Sequence, residues 1–148
     1  MIKRFGAAPN SEIQYKFRPG AYAVLVRNRQ VLLTFQEAPF SEFQLPGGDI
    51  DPVESTLPAL RREIMEETGW AIGTPRRLGA YRRFVHMLDY NIWAEKICQI
   101  YFARPSLKIS EPTEDGHSCH WVTPIEAMNL ITNSGDKPFM KQVLRDIL

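Results

Sequence analysis

The sequence is short of net charge, of cysteine and of long apolar runs, and each shortage excludes something. Eighteen Lys and Arg face seventeen Asp and Glu, a formal net charge of +1 over 148 residues. So even a balance gives no bulk attraction to nucleic acid or to an anionic membrane surface, and no nucleic-acid partner is expected. The longest apolar run, Ala21 to Val26, falls far short of the roughly 20 residues that span a bilayer, and the stretch MIKRFGAAPN lacks the apolar segment of a secretory leader. A cytoplasmic chain without a membrane partner is the expectation. The two cysteines, Cys98 and Cys119, form no CxxC pair and read as inert thiols. Cys119 lies within His117-Ser118-Cys119-His120, but no second cluster completes a zinc tetrahedron. No internal repeat, low-complexity stretch or Pro/Gly/Ser linker divides the chain, so residues 1–148 read as a single domain.

What is present suits a packed core: 44% of residues are hydrophobic and 11% aromatic. Ala21 to Val26 and Val31 to Phe35 read as two strands of a hairpin, with Arg27-Asn28-Arg29-Gln30 as the turn. A loop with Pro39 leads to a strand-like Phe43-Gln44-Leu45, which Pro46-Gly47-Gly48 ends. A helix is predicted from Leu57 to Thr68, with Thr56 as N-cap, Pro58 in the first turn and Gly69 as terminator. Further strands are predicted over Leu78 to Phe84, Lys96 to Ala103 and Cys119 to Val122, and Pro124 opens a short helix to Leu130. Met140, Val143, Leu144 and Ile147 recur at helical spacing, so an amphipathic helix closes the chain. Strands on both sides of a central helix imply an α/β or α+β fold with a mixed sheet.

The central helix carries its charges in an order that suits no purely structural element. Glu63, Glu66 and Glu67 fall three and four residues apart, on one stripe. Glu66 and Glu67 also occupy the last turn, where the helix dipole favours cations, at a cost of about 0.3 to 1 kcal/mol each. Leu57, Leu60 and Ile64 form the neighbouring stripe expected to face the core. Carboxylates clustered beside a hydrophobic face either take up protons or bind a cation, and a hard divalent metal suits all-oxygen ligands.

From Gly48 to Trp70 the sequence fits G-x5-E-x7-R-E-U-x-E-E-x-G-U, where U is a bulky apolar residue. Seven fixed letters at roughly 5 to 7% background each coincide by chance in well under about one chain in a million. This is the Nudix box, and the chain resembles the Nudix hydrolases. Phe43-Gln44-Leu45-Pro46-Gly47 before it, and Trp121-Val122-Thr123-Pro124 with Ile125-Glu126-Ala127 after it, also resemble family segments. Asp49 and Val53 depart from the glycines that many members have at those positions.

The resemblance implies an α/β/α sandwich and an enzyme that hydrolyses a phosphoanhydride in a nucleoside diphosphate linked to another group, with Mg2+ as cofactor and Mn2+ able to substitute. It implies Glu66 and Glu67 as principal metal ligands, Glu63 as further ligand or general base, and a backbone carbonyl of Gly47 or Gly48 in the shell. Arg62 is expected to orient the carboxylates by a bidentate contact with Glu54 or Glu63. A further acid is expected from the loop that precedes the tryptophan-containing strand: Glu114 first, then Asp115 or Glu111. His117 and His120 are expected in local hydrogen bonds, with His117 also able to polarise a phosphate. Among Arg76, Arg77, Arg82 and Arg83 the choice lies between a solvated strand face and phosphate recognition, with Arg83 the substrate candidate. Phe35 or Phe43 is the candidate for stacking on a base. The ADP-ribose, coenzyme A and NADH signatures are absent, which leaves a small nucleoside triphosphate as substrate, in the manner of MutT. A homodimer is compatible with the sequence. Two rivals stand: a Nudix-fold regulator that binds a nucleotide without cleaving it, and an isoprenoid diphosphate isomerase, whose catalytic cysteine and histidines cannot be placed.

Overall fold

The computed structural model describes residues 2–147, with the Ile147 side chain outside the described set. Ten strands and three helices follow one another: β1 (Lys3–Arg4), β2 (Lys16–Arg27), β3 (Gln30–Gln36), β4 (Glu42–Gln44), β5 (Gly47–Asp49), α1 (Thr56–Thr68), β6 (Trp70–Ile72), β7 (Arg76–Met87), β8 (Ile92–Ala103), β9 (Pro105–Lys108), β10 (His117–Val122), α2 (Pro124–Leu130) and α3 (Lys137–Ile147), with a 3-10 turn Ser134–Asp136 before α3. The main sheet runs β1-β7-β8-β2-β3-β10. It is mixed, because β1–β7 and β8–β2 are parallel while β7–β8, β2–β3 and β3–β10 are antiparallel.

The hairpin turn forms at Asn28-Arg29, both with positive φ (51° and 62°); that matches the strand twist. β2 and β3 pair only beside this turn, at Val26↔Val31 and Arg27↔Gln30. Farther out they diverge, and two short strands take up the freed edges, β5 on β2 and β4 on β3. That parting of the sheet makes room for a cavity.

Alternation along β2 divides the core between the two faces of the sheet. Ala21, Ala23 and Leu25 pack with Leu60 and Ile64 of α1, whereas Val24 and Val26 pack with Ala127 of α2 and Met140 and Val143 of α3. A strand buried on both faces needs a nearly continuous apolar run, and Ala21 to Val26 is that run. The layers are therefore helix, mixed sheet, helices, in agreement with the expected α/β/α sandwich.

Several expectations shift in detail. Leu57 is 39% exposed; it lies in the first turn of α1, outside the stripe that Ala59, Leu60 and Ile64 bury. The residue before the helix is Ser55 and makes no side-chain cap. The apolar stripe of α3 is seated at Met140, Val143 and Leu144, and the expected fourth member, Ile147, lies outside the described side chains. Among the described residues no helix is long and apolar enough to cross a membrane. Cys98 and Cys119 are both free.

Candidate active site

Helix α1 and the glycine pair that begins β5 build the site together. Glu63 and Glu67 are one turn apart on α1, and both reach the Gly47-Gly48 segment. The Gly47 N–H donates to Glu67 Oε1 at 2.8 Å. Against Gly48 the Glu63 carboxyl packs so closely that a Cβ added there would lie 2.5 Å from Glu63 Cδ. At Gly47, with φ 145°, a Cβ would lie 2.2 Å from the Ala21 carbonyl oxygen, so that position admits no side chain.

The turn before β10 supplies the opposite wall. His117 Nδ1 lies 3.2 Å from Glu114 Oε2 and 3.5 Å from Glu67 Oε2. This nitrogen is shielded from water and makes no aligned hydrogen bond among the described residues. Glu67, Glu114 and His117 each offer one atom to a common point, all within 4.8 Å of one another. Together with Glu63 they line a cavity of about 680 Å3.

Two acidic groups lie side by side here, and they differ in how their charge is met. In the outer one, Arg62 grips Glu54 with both arms, Nε to Oε2 and Nη2 to Oε1, each at 2.7 Å. Its Nη1 reaches Glu66 Oε1 at 3.2 Å and passes 3.3 Å from Glu63 Oε1. The bidentate hydrogen bonds hold the Glu54 carboxyl down at about 2. In the inner group no Arg or Lys meets the charge so directly. Burial, and next the Glu67 charge, push Glu63 up to about 7, and burial also raises Glu67. His117 is raised, first by the Glu67 carboxylate beside it.

Such an inner group suits a divalent cation. Three carboxylates converge beside a histidine nitrogen, and Arg62 at the edge of Glu63 and the Gly47 N–H on Glu67 offset their charge only in part. Glu63, Glu67 and Glu114 are the residues that would hold the ion, with His117 as a nitrogen donor at its edge. Glu66 takes Arg62 and does not line the cavity.

The remaining candidates divide. Gly47, Gly48 and Arg83 line the cavity. Arg62 takes Glu54 as its bidentate partner. Glu111 pairs with Lys108 at 3.0 Å, and Asp115 is exposed outside the cavity. Phe35 and Phe43 pack on each other, ring centroids 4.9 Å apart, and neither lines the cavity. They are cross-strand neighbours on β3 and β4, where stacking across the pair holds β4 in place. His120 bonds the Ser118 hydroxyl at 2.8 Å, a local contact as expected. Of the other arginines, Arg82 pairs with Glu95 at 3.1 Å and Arg76 covers Phe102.

Sequence reasoning did not single out Lys96, Tyr22 or Asp136, all of which line the same cavity. The one signal was Asp49, the departure from glycine, whose Oδ1 accepts from Lys96 at 2.9 Å while its other oxygen takes Arg18.

Residues 16–143 match the model of the NUDIX domain. A protein of Bacillus subtilis (strain 168) named "Putative 8-oxo-dGTP diphosphatase" is 34% identical over 67 residues, 45% of this chain and 45% of that one. A "MutT-like protein" of Streptomyces ambofaciens is 24% identical over 103 residues, 70% of this chain and 62% of that one. The chain thus matches about half to three fifths of the length of these curated relatives. Among solved structures, the mutator MutT protein of Bacillus halodurans superposes with a TM-score of 0.70 at 25% identity, over 86% of this chain and 82% of the other.

Proposed function

The chain belongs to the Nudix family, and we propose that it is a MutT-like hydrolase that cleaves a phosphoanhydride in a small nucleotide, a nucleoside triphosphate or a related nucleoside diphosphate derivative. The observation that carries this is the convergence of Glu63, Glu67, Glu114 and His117 at the Gly47-Gly48 lip of one cavity. A binding protein has no need of clustered carboxylates that repel one another; a catalyst that must hold a cation against a pyrophosphate does. The ion proposed is Mg2+, with Mn2+ as substitute, because carboxylate oxygens dominate the donor set. Bound there, it would neutralise phosphate charge and acidify a water.

The chain's own groups then have distinct tasks. Gly47 and Gly48 let the phosphates approach the backbone, because no side chain stands between. Glu67 is fixed by the Gly47 N–H, so its second oxygen is aimed. Glu63 has its carboxyl inside the cavity and is placed to take the proton from the attacking water. Arg62 clamps Glu54 and Glu66 and passes Glu63, so it fixes the outer face of the helix without touching substrate. Glu114, on its loop, completes the acidic wall and orients His117. The same reading makes the protein a cytoplasmic enzyme of one domain that acts on a small charged substrate.

Replacing Glu67 with Gln keeps the shape and removes the charge. Mg2+-dependent release of phosphate or pyrophosphate from a panel of nucleoside di- and triphosphate derivatives should fall by about a hundredfold or more. Turnover equal to wild type would sink the assignment, and the same panel names the substrate.

A further inference from the structure

Away from the carboxylates the cavity has a second polar region, on strands β7 and β8, to which the hydrolytic chemistry gives no task. Arg83 and Lys96 stand directly opposite each other in the antiparallel β7–β8 pair, and both line the cavity. Like charges in that relation repel. Lys96 is only 7% exposed, so its ammonium has lost most of its water, a costly state even when paired.

Neither cation is fully satisfied by the protein. Lys96 Nζ donates to Asp49 Oδ1 at 2.9 Å and to the Tyr22 hydroxyl at 3.0 Å, which leaves one of its three protons free. Arg83 Nε is shielded from water and has no hydrogen-bond partner among the described residues. Asp49 is shared with Arg18. Asp136 lines the same region but is engaged by the Tyr81 hydroxyl, at 2.7 Å. The two acids beside these cations are thus already engaged, Asp49 by Arg18 and Lys96 and Asp136 by the Tyr81 hydroxyl. If packing were the only requirement, methionine at position 96 and leucine at 83 would fill the space without desolvating two charges.

We infer that Arg83 and Lys96 are specificity-determining donors that take oxygen acceptors on the part of the substrate remote from the scissile phosphoanhydride. This rests on the nucleotide-hydrolase reading and names what that hydrolase selects. Two sources supply such oxygens: the keto edge of a nucleobase, or a second phosphate on the ribose. A substrate with an amino group in that place sets donor against donor and leaves buried groups unpaired.

The test reads binding of product-like nucleotides that offer no phosphoanhydride to cleave. With Mg2+ in excess, wild type, Lys96→Met and Arg83→Leu are titrated calorimetrically with GMP against AMP, UMP against CMP, and adenosine 3′,5′-bisphosphate against AMP. Wild type should prefer the acceptor-rich member of at least one pair by about tenfold or more. That preference should collapse in either variant, with the disfavoured member bound within about threefold of wild type. Preference in the keto pairs identifies the base edge as the source; preference for the bisphosphate identifies the second phosphate. Thermal melts establish that each variant is folded, and either folded variant suffices. No binding, no preference, or a preference that survives both substitutions overturns the inference. A wild type that discriminates but cleaves no nucleotide overturns the hydrolase reading alone, whereas a hydrolase whose preferences ignore both substitutions overturns only this one.

Discussion

Asp136 shows what one residue costs and what it reveals. It is 5% exposed, and burial raises its carboxyl to about 6 despite the hydrogen bond from Tyr81, which pulls the other way. A carboxyl whose folded value exceeds its unfolded value favours the fold while protonated. That contribution is complete below an ordinary aspartate value near pH 4 and is lost as pH rises through about 6. Asp136→Asn keeps an acceptor for Tyr81 and cannot ionise. Relative to wild type, the variant should therefore gain stability between pH 4 and pH 7, by on the order of 2 kcal/mol, since each tenfold change in an ionisation constant corresponds to about 1.4 kcal/mol. Chemical denaturation at both pH values measures it, and a difference that does not change with pH contradicts it. Nothing in the sequence marked this aspartate, since burial is a property of the fold. Glu63, Glu67 and Arg62 were legible because spacing within one helix fixes their mutual geometry. Lys96 was not, because a lysine on a strand reads as solvent-facing until the neighbouring strands are known.

At the level of elements, α1 joins the core to the site and depends on how it ends. Gly69 adopts φ 75°, the left-handed conformation of a helix C-cap, and a Cβ there would lie 1.8 Å from the Ser110 carbonyl oxygen. The Gly69 carbonyl in turn accepts from the N–H groups of Ile109 and Ser110. Gly69→Ala meets both backbone strain and a clash with immovable main chain, so a loss of about 2 kcal/mol or more is expected in denaturant unfolding. A loss under about 0.5 kcal/mol would mean that the loop after β9 yields. The sequence placed this terminator correctly and placed α1 to within a residue, because capping and 3.6-residue periodicity are local signals. It missed β1, β5, β6 and β9, which have two to four residues each, too few for any period to show. It also shortened β2, β7 and β8, whose outer ends carry no clear alternation and are held by pairing with one another, Lys16↔Ala94 in β2–β8 and Met87↔Ile92 in β7–β8. Phe35 and Phe43 looked like stacking groups for a base, and their cross-strand pairing uses both rings within the fold.

Over the whole molecule, the net charge of +1 conceals two opposed regions of one cavity, acids at the α1 lip and cations on β7 and β8. The acids at the lip make the folded chain alone less stable than it is with a cation bound. A ligand held by the native state alone, at about a hundred times its dissociation constant, adds about 2.7 kcal/mol, which for a chain of this size is a rise of several degrees in melting temperature. Mg2+ should produce that rise in wild type and a chelator should reverse it. Glu67→Gln should lose most of the rise, because its charge is gone. In chelator the same variant should melt no lower than wild type: glutamine still accepts the Gly47 N–H, and the repulsion that Glu63 and Glu114 feel is relieved. The two measurements separate function from structure. A variant that melts several degrees below wild type in chelator would show that these acids serve the fold, and an equal Mg2+ response in both proteins would place the ion elsewhere. If both expectations hold, the helix carries Glu63 and Glu67 side by side for the sake of the ion they bind, at a stability cost that the bound state offsets.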